Sequence, residues 1–534
     1  VRAERPLGDR RARVANVSGD LDHVNEKMIM AEGRPPAYRP TGDRNGDGGR
    51  MRVEIRPAAR LRGTNAVALL PALGPALDAV IADPEVDLAH LRVTADWVQY
   101  QRSFRPPVML VPTTGGDALE LAVDLRRAAD PEATAGAVAA AFRAHRNGSA
   151  GCAHRTLEEW TPTSRSLVWR FNALYWQHLR AWEEATGRGY ESALPGGRSG
   201  AREDEPVRAM IKALFAVWDS LAERRALPEE LYVVELGVGN GSQARTWLDA
   251  FRELDAEHGH RYYRRLHYLM GDYSPHVLEL ARAAVADHAQ HVSSLVLDAQ
   301  RPMTALGFLR FKVFLVYISN VYDNLPTDEI ATIGQRDHLV QTRAYLDEAD
   351  AVAIAAGVAA TPDALGGLID KLLQLGPTLL AEAAPGHIPD PAAGVAFWRA
   401  CWSALRLQER YVPLYGLDTY EIAPGISGEL LRPMTATGGD LRLHAANGAA
   451  ASFADTLPLL HPFGRLQCHD IFITATDQYR TGFRGPGKYD GSVVNWVNGP
   501  LLAHIGARMG FDVAFAPFAR RGSNIVTLTA DVRD

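Results

Sequence analysis

Val233-Val234-Glu235-Leu236-Gly237-Val238-Gly239-Asn240-Gly241-Ser242 decides how the rest of the chain is read. An apolar run over residues 231–236 closes beside an acidic residue. Three glycines follow at alternate positions, and residues 243–254 then read as a helix. Glycine has no Cβ and tolerates left-handed φ, so a turn of this kind lets backbone come close to a ligand. The helix that follows points its free N–H groups at the same place. The segment therefore predicts a ligand-binding turn at the carboxyl end of a strand, against the plainer alternative of a glycine-rich turn between any strand and helix.

Two known patterns compete for this turn. The dinucleotide fingerprint G-x-G-x-x-G needs its third glycine at position 242, which is Ser242, so the close helix–strand packing of that motif is lost. The pattern Glu-x-Gly-x-Gly-x-Gly resembles motif I of the class I S-adenosyl-L-methionine (SAM)-dependent methyltransferases. That resemblance implies an α/β, Rossmann-like doubly wound sheet with SAM as cofactor. Glu235, Gly237, Gly239 and Gly241 would then hold its methionine end.

Composition agrees with a globular protein and excludes several classes. The 534 residues are 47% hydrophobic and 22% charged, too long for one simple core and ordinary in polarity. A net charge of −6 lacks the basic excess of a nucleic-acid binder. No apolar run reaches membrane-spanning length: the best, residues 66–81, contains two prolines and Asp78. Cys152, Cys401 and Cys468 are far apart and form no CxxC pair, which argues against a zinc site and fits a reducing cytoplasm. No metal is called for.

Residues 1–50 are rich in Arg, Asp, Gly and Pro and are expected to be disordered. The start at Val1 leaves Met28, Met30 or Met51 as other possible beginnings. Residues 51–150 read as a small α+β unit, with strands at 52–55 and 90–101, a hairpin of 108–111 with 119–125, and helices at 65–81 and 133–145. Within it, Trp97, Tyr100 and Phe104 read as core or interface. Residues 151–534 form the larger unit. Helices at 164–184 and 206–224 flank a glycine-rich loop at 187–200. Strands then fall at 231–236, 266–270, 294–297, 313–318 and 465–474, alternating with helices in the pattern of a parallel sheet. Strands at 511–515 and 524–530, joined by a turn at 520–523, predict a C-terminal antiparallel hairpin. About 145 residues separate the fourth strand from the fifth, far more than one crossover needs. Residues 340–460 are therefore expected to be a large helical insertion, with helices at 363–375 and 394–407, covering the substrate together with the 480–500 loop. A phosphate cradle at Gly485, Gly487 and Lys488 lacks the strand–loop–helix context of a P-loop.

The remaining site candidates follow strand ends. Gly271-Asp272-Tyr273-Ser274-Pro275 follows the second strand. Asp272 can accept two hydrogen bonds from a ribose diol. Ser274 is its neighbour in the site and also suits a helix N-cap before Pro275. Asp298 and Ala299 follow the third strand, where an Asp in such methyltransferases faces the adenine amino group.

The fourth strand ends in Ser319-Asn320-Val321-Tyr322-Asp323-Asn324-Leu325-Pro326. This resembles the Asn-Glu-x-x-Asp-Ala-Leu/Met-Pro signature of the MidA-like methyltransferases, which include complex I assembly factors that methylate protein arginine. The resemblance covers roughly residues 160–530 and implies that Asn320 and Asp323 face the methyl group. Val321 stands where that signature has Glu, removing the carboxylate that would orient a guanidinium. The expected partner is a methyl acceptor, either protein or small molecule, with no nucleic acid or membrane and with a homodimer left open. The alternative is a SAM-binding assembly factor or scaffold without catalysis.

Overall fold

The computed structural model describes residues 154–189, 204–436, 441–479, 485–517 and 525–533, with the stretches 52–56, 91–96, 102–104, 108–112, 119–124 and 131–146 and positions 78 and 80. The expected disorder of 1–50, most of the 65–81 helix, Trp97, Tyr100, most of the 187–200 loop and the 520–523 turn lie outside the described residues.

The centre is a mixed sheet of β1 (Leu231–Leu236), β2 (Leu266–Asp272), β3 (Val292–Val296), β4 (Val313–Ser319), β5 (Leu460–Ile473), β6 (Phe511–Pro517) and β7 (Ile525–Val532), in the order β3-β2-β1-β4-β5-β7-β6. The first five run parallel, while β7 is antiparallel to both β5 and β6. Side chains of successive strand residues point to opposite faces, and the core divides accordingly. Val233, Leu315 and Tyr317 pack with Trp218, Trp247 and Phe251 on one side. Val234, Leu236, Val316 and Ile318 pack with Phe453, Leu501 and Ile505 on the other. Both faces are covered, so β4 is apolar until its last residue and buried along nearly its whole length.

The chain runs outward from β1 to β3 and then returns to the other side of β1 for β4. Such a reversal opens a crevice at the carboxyl ends of β1 and β4.

The segment after β4 is not the helical insertion expected. The two expected helices are present as Leu365–Ala383 and Pro391–Ala404, with Glu348–Gly357 and Asn447–Thr456 besides. The first two stand on a second sheet, in which Arg336–Asp347 pairs antiparallel with Glu329–Ile333 and with Arg406–Pro413. Gly334 and Gln335, with φ of 54° and 65°, make the tight turn between the first two of these strands. Left-handed φ at both central residues is what a two-residue hairpin of this twist requires. The sheet begins at Glu329, ahead of the expected boundary at 340, and His154–Thr156 and Thr161–Pro162 add to it.

The helix expected over 164–184 is two helices, α1 (Leu167–Gln177) and Leu179–Thr186. They break at His178, whose ring presses on the bend of Leu365–Ala383: a Cβ on Gly376 would lie 2.2 Å from its Nε2. The back of α1 packs on the two helices just described, in a third core with Phe171, Leu174, Trp398 and Trp402. Phe104 joins this core, its ring 5.4 Å from that of Trp402, and Arg102–Ser103 pairs with Gly487–Tyr489. Lys488 is no phosphate ligand. It is buried, and its ammonium donates to the carbonyls of Trp402, Ser403 and Leu405 at the end of Pro391–Ala404. A cation suits that helix terminus.

Candidate functional site

A cavity of about 220 Å³ lies at the carboxyl ends of β1 to β4. The glycine turn forms its floor. Gly237, Gly239 and Gly241 have φ of 73°, 58° and 79°, which side chains rarely adopt. Gly237 N–H and Val238 N–H both donate to Gly271 O, at 2.8 and 3.2 Å, tying the turn to β2. A Cβ on Gly237 would lie 2.3 Å from Val321 Cγ2. Val321 therefore rides directly on the turn.

Asp272 binds this floor from the side. Its Oδ2 accepts from Gly239 N–H at 3.2 Å and its Oδ1 from Ser274 N–H at 3.0 Å. Burial nevertheless pushes its acid up to about 6. Glu235, buried at the end of β1, accepts from Tyr268 Oη at 2.6 Å. Asp298, at an exposed corner after β3, accepts from Gln300 N–H at 2.9 Å.

Of the residues singled out from sequence, Glu235, Gly237, Gly239, Asp272, Asp298, Ala299 and Asn320 line the cavity together. Gly241, Ser274 and Asp323 do not, each for a physical reason. A Cβ on Gly241 would lie 2.6 Å from Ala281 Cα, so this glycine lets α2 (Ser242–Glu257) approach α3 (Pro275–Ala284). Ser274 is fully buried and caps α3, accepting from Val277 N–H at 3.4 Å. Asp323 lies beneath the cavity wall, accepting from Asn324 Nδ2 at 2.6 Å. Burial, with Asp470 adding to it, holds the Asp323 carboxyl well above the usual range.

Asp470 organises the turn after β4. It is fully buried and accepts from the backbone N–H groups of Tyr322, Val321 and Asp323, at 2.8, 3.1 and 3.4 Å. Burial pushes it up to about 6. Asn320 makes the sharp exit from β4 with φ of 53°, a conformation Asn tolerates better than most residues, and its N–H donates to His469 O at 2.9 Å.

The roof is where the sequence reading goes astray. Among the described residues no lining residue lies beyond Pro326, so neither the described part of the 340–460 segment nor that of the 480–500 loop lines the cavity. The cover is α1, through Trp169, Asn172, Ala173 and Trp176. These positions, spaced i, i+3, i+4 and i+7, form one helical face. The segments expected above the site instead support α1 from behind. Glu158 accepts from Ser166 Oγ and Leu167 N–H at the head of α1, both at 2.6 Å, and from Ala344 N–H at 2.9 Å. Asn172 Oδ1 accepts from Val493 N–H at 2.9 Å, while its Nδ2 donates to Asn324 O at 2.8 Å. At the other end, Gln177 Nε2 donates to Tyr273 Oη at 2.7 Å.

Sequence reasoning also misses Gln243, on the first turn of α2. Its side chain lines the cavity, is 7% exposed, and neither its amide N nor its O has a partner. A long polar residue directly after the glycine turn was the available signal.

No protein-family model matches the sequence, and no curated protein does. Solved structures with which the chain shares some likeness in fold include the following two. One is a COG1565 superfamily protein from Burkholderia thailandensis bound to S-adenosyl-homocysteine, at 14% identity and TM-score 0.41, covering 73% of this chain and 91% of that one. Another is the DszA carbon methyltransferase, at 11% identity and TM-score 0.31, covering 76% and 68%.

Proposed function

We propose that this chain is a SAM-dependent methyltransferase acting on a protein or small-molecule nucleophile. One observation carries the reading: the left-handed glycine turn after β1, Asp272 after β2 and Asp298 after β3 face a single cavity. The site has the features an adenosyl sulfonium needs. Gly237 leaves no room for a Cβ, Gln243 offers an unused buried amide, and carboxylates rather than cations line the sheet side. The reversed β7 between β5 and β6 is also the arrangement of class I methyltransferases.

Glu235, Gly237, Gly239 and Gln243 would hold the amino-acid end, Asp272 the ribose, and Asp298 with Ala299 the adenine. When bound, SAM supplies an electrophilic methyl group. The protein's own contribution is alignment: the turn after β4 and the roof helix hold the nucleophile in line and exclude water. Asn320 is the residue on this wall suited to face the methyl group, and the Asp323 carboxyl holds Asn324 instead of lining the cavity. The free, buried Cys401 and Cys468 suit a cytoplasmic protein. Among the described residues no single helix is long and apolar enough to cross a membrane. Calorimetric titration with SAM, S-adenosylhomocysteine and NAD tests the assignment. SAM and S-adenosylhomocysteine should bind, and NAD binding as tightly as SAM would end it.

The MidA-like resemblance does not carry arginine with it. Val321 is apolar and packed on Gly237, and a guanidinium buried there would lack its carboxylate. Incubation with labelled SAM should leave arginine-rich peptides unlabelled. Label recovered in an arginine side chain would refute this specificity.

A further inference from the structure

Two residues that line the cavity each carry a buried polar atom with nothing to bond. Trp169, on α1, is 6% exposed and its Nε1 has no partner. Asn324, in the turn after β4, is 8% exposed; its Nδ2 is used by Asp323, and its Oδ1 has no partner. Both residues line the cavity.

They belong to the same corner. Asn172 Nδ2 donates to Asn324 O, and Trp169 stands three residues before Asn172 on the same face of α1, less than one turn away. Leu325, Pro326 and the ring of Trp176 complete the walls.

Native proteins rarely leave such groups unbonded when buried. The pair is complementary: an indole N–H that only donates beside a carboxamide oxygen that only accepts. Among the described residues no Lys, Arg or His lines the cavity, so an anion would find no counter-charge there. An ammonium or guanidinium would meet the indole N–H donor to donor. The anion would be desolvated without a counter-charge, and the cation, though it could donate to Asn324 Oδ1, would leave the indole N–H unpaired.

We infer that this corner is the acceptor subsite, and that it takes an uncharged, flat molecule whose polar edge donates to Asn324 Oδ1 and accepts from Trp169 Nε1–H. Only the word acceptor rests on the methyltransferase reading; the binding preference rests on the corner itself. The indole faces and Leu325 select the flat body, and the two polar atoms select its edge. A molecule lacking either polar function leaves a buried group unpaired, which costs about tenfold or more in affinity.

Three probes share one ring system and differ in charge: 2-naphthol, 2-naphthoate and 2-naphthylmethylammonium. Each is titrated calorimetrically into the full chain, with and without S-adenosylhomocysteine. The expected result is binding of 2-naphthol, with the two ions at least tenfold weaker. Asn324→Ala and Trp169→Phe should each weaken 2-naphthol about five- to tenfold while S-adenosylhomocysteine binding stays within twofold. Trp169→Phe keeps an aromatic ring in place, so the test survives if Asn324→Ala fails to fold. An ion bound as tightly as 2-naphthol, no 2-naphthol binding by the folded protein, or a Trp169→Phe affinity equal to wild type would overturn the inference. Naphthol behaving as stated while S-adenosylhomocysteine fails to bind would overturn the methyltransferase reading and leave the subsite standing.

Discussion

Gly237→Ala is expected to abolish SAM binding and to lower stability by about 2–5 kcal/mol. Two costs add at this position. A left-handed φ of 73° is strained for alanine by roughly 1–2 kcal/mol. The new methyl would also sit 2.3 Å from Val321 Cγ2, and overpacking of this kind costs about 1–3 kcal/mol. The turn can relieve the clash only by lifting away from Gly271 O, which is the contact that shapes the cavity floor. Adding Val321→Ala removes the clash and leaves the backbone strain. The double variant should therefore regain part of the stability and little of the affinity. Chemical denaturation and calorimetry on the two variants check this, and a Gly237→Ala protein that binds SAM like wild type would refute the floor assignment.

Asp272→Asn is expected to move binding and stability in opposite directions. The half-buried carboxyl is pushed up to about 6 in the folded protein against an ordinary 3.8. The folded state therefore holds its proton to higher pH than the unfolded state, and stability falls as pH rises from about 4 to about 6. Above that window the fold carries the cost of an ionised, desolvated carboxylate, at most about 3 kcal/mol for a shift of this size. A neutral amide escapes this cost, so the variant should melt higher than wild type at pH 8, with the gap closing below pH 4. SAM binding should instead weaken by about 1.5–3 kcal/mol, the range for a hydrogen bond to a charged acceptor. Wild-type affinity should improve as pH rises through 6, and the variant should lose that dependence. An unchanged dissociation constant would reduce Asp272 to a brace for Gly239 and Ser274.

The parallel sheet was legible because its strands are covered on both faces. Residues such as Val313 to Ile318 read as one apolar run whatever surrounds them, and glycine turns punctuate them. The cavity floor was legible for a related reason: its glycines and Asp272 act through local backbone geometry. The roof was not. On α1 the apolar stripe of Leu167, Phe171, Leu174 and Tyr175 is legible and packs in the core, but it says nothing of the face carrying Trp169, Asn172 and Trp176 that lines the cavity. The second sheet was hidden for the opposite reason. Arg336–Asp347 mixes charged and apolar residues, and its partner strand Arg406–Pro413 lies some sixty residues later, beyond what local pattern can reveal. Asp323 misled because a carboxylate near a strand end suggests chemistry, whereas this one is turned inward to Asn324.

The bond from Val493 to Asn172 spans 321 positions, and that from Ala344 to Glu158 spans 186. On the ribosome, the helix that closes the pocket emerges early and its back support emerges late. The strands β1 to β3, which lead to the glycine turn, Asp272 and Asp298, lie within residues 231–296, so that half is complete while the cover is still untethered. Contacts between distant positions form slowly, since a long loop must close before any of them forms. A nascent chain thus passes through a stage with a finished cavity floor and an open front, and it seals only after Val493 has left the exit tunnel.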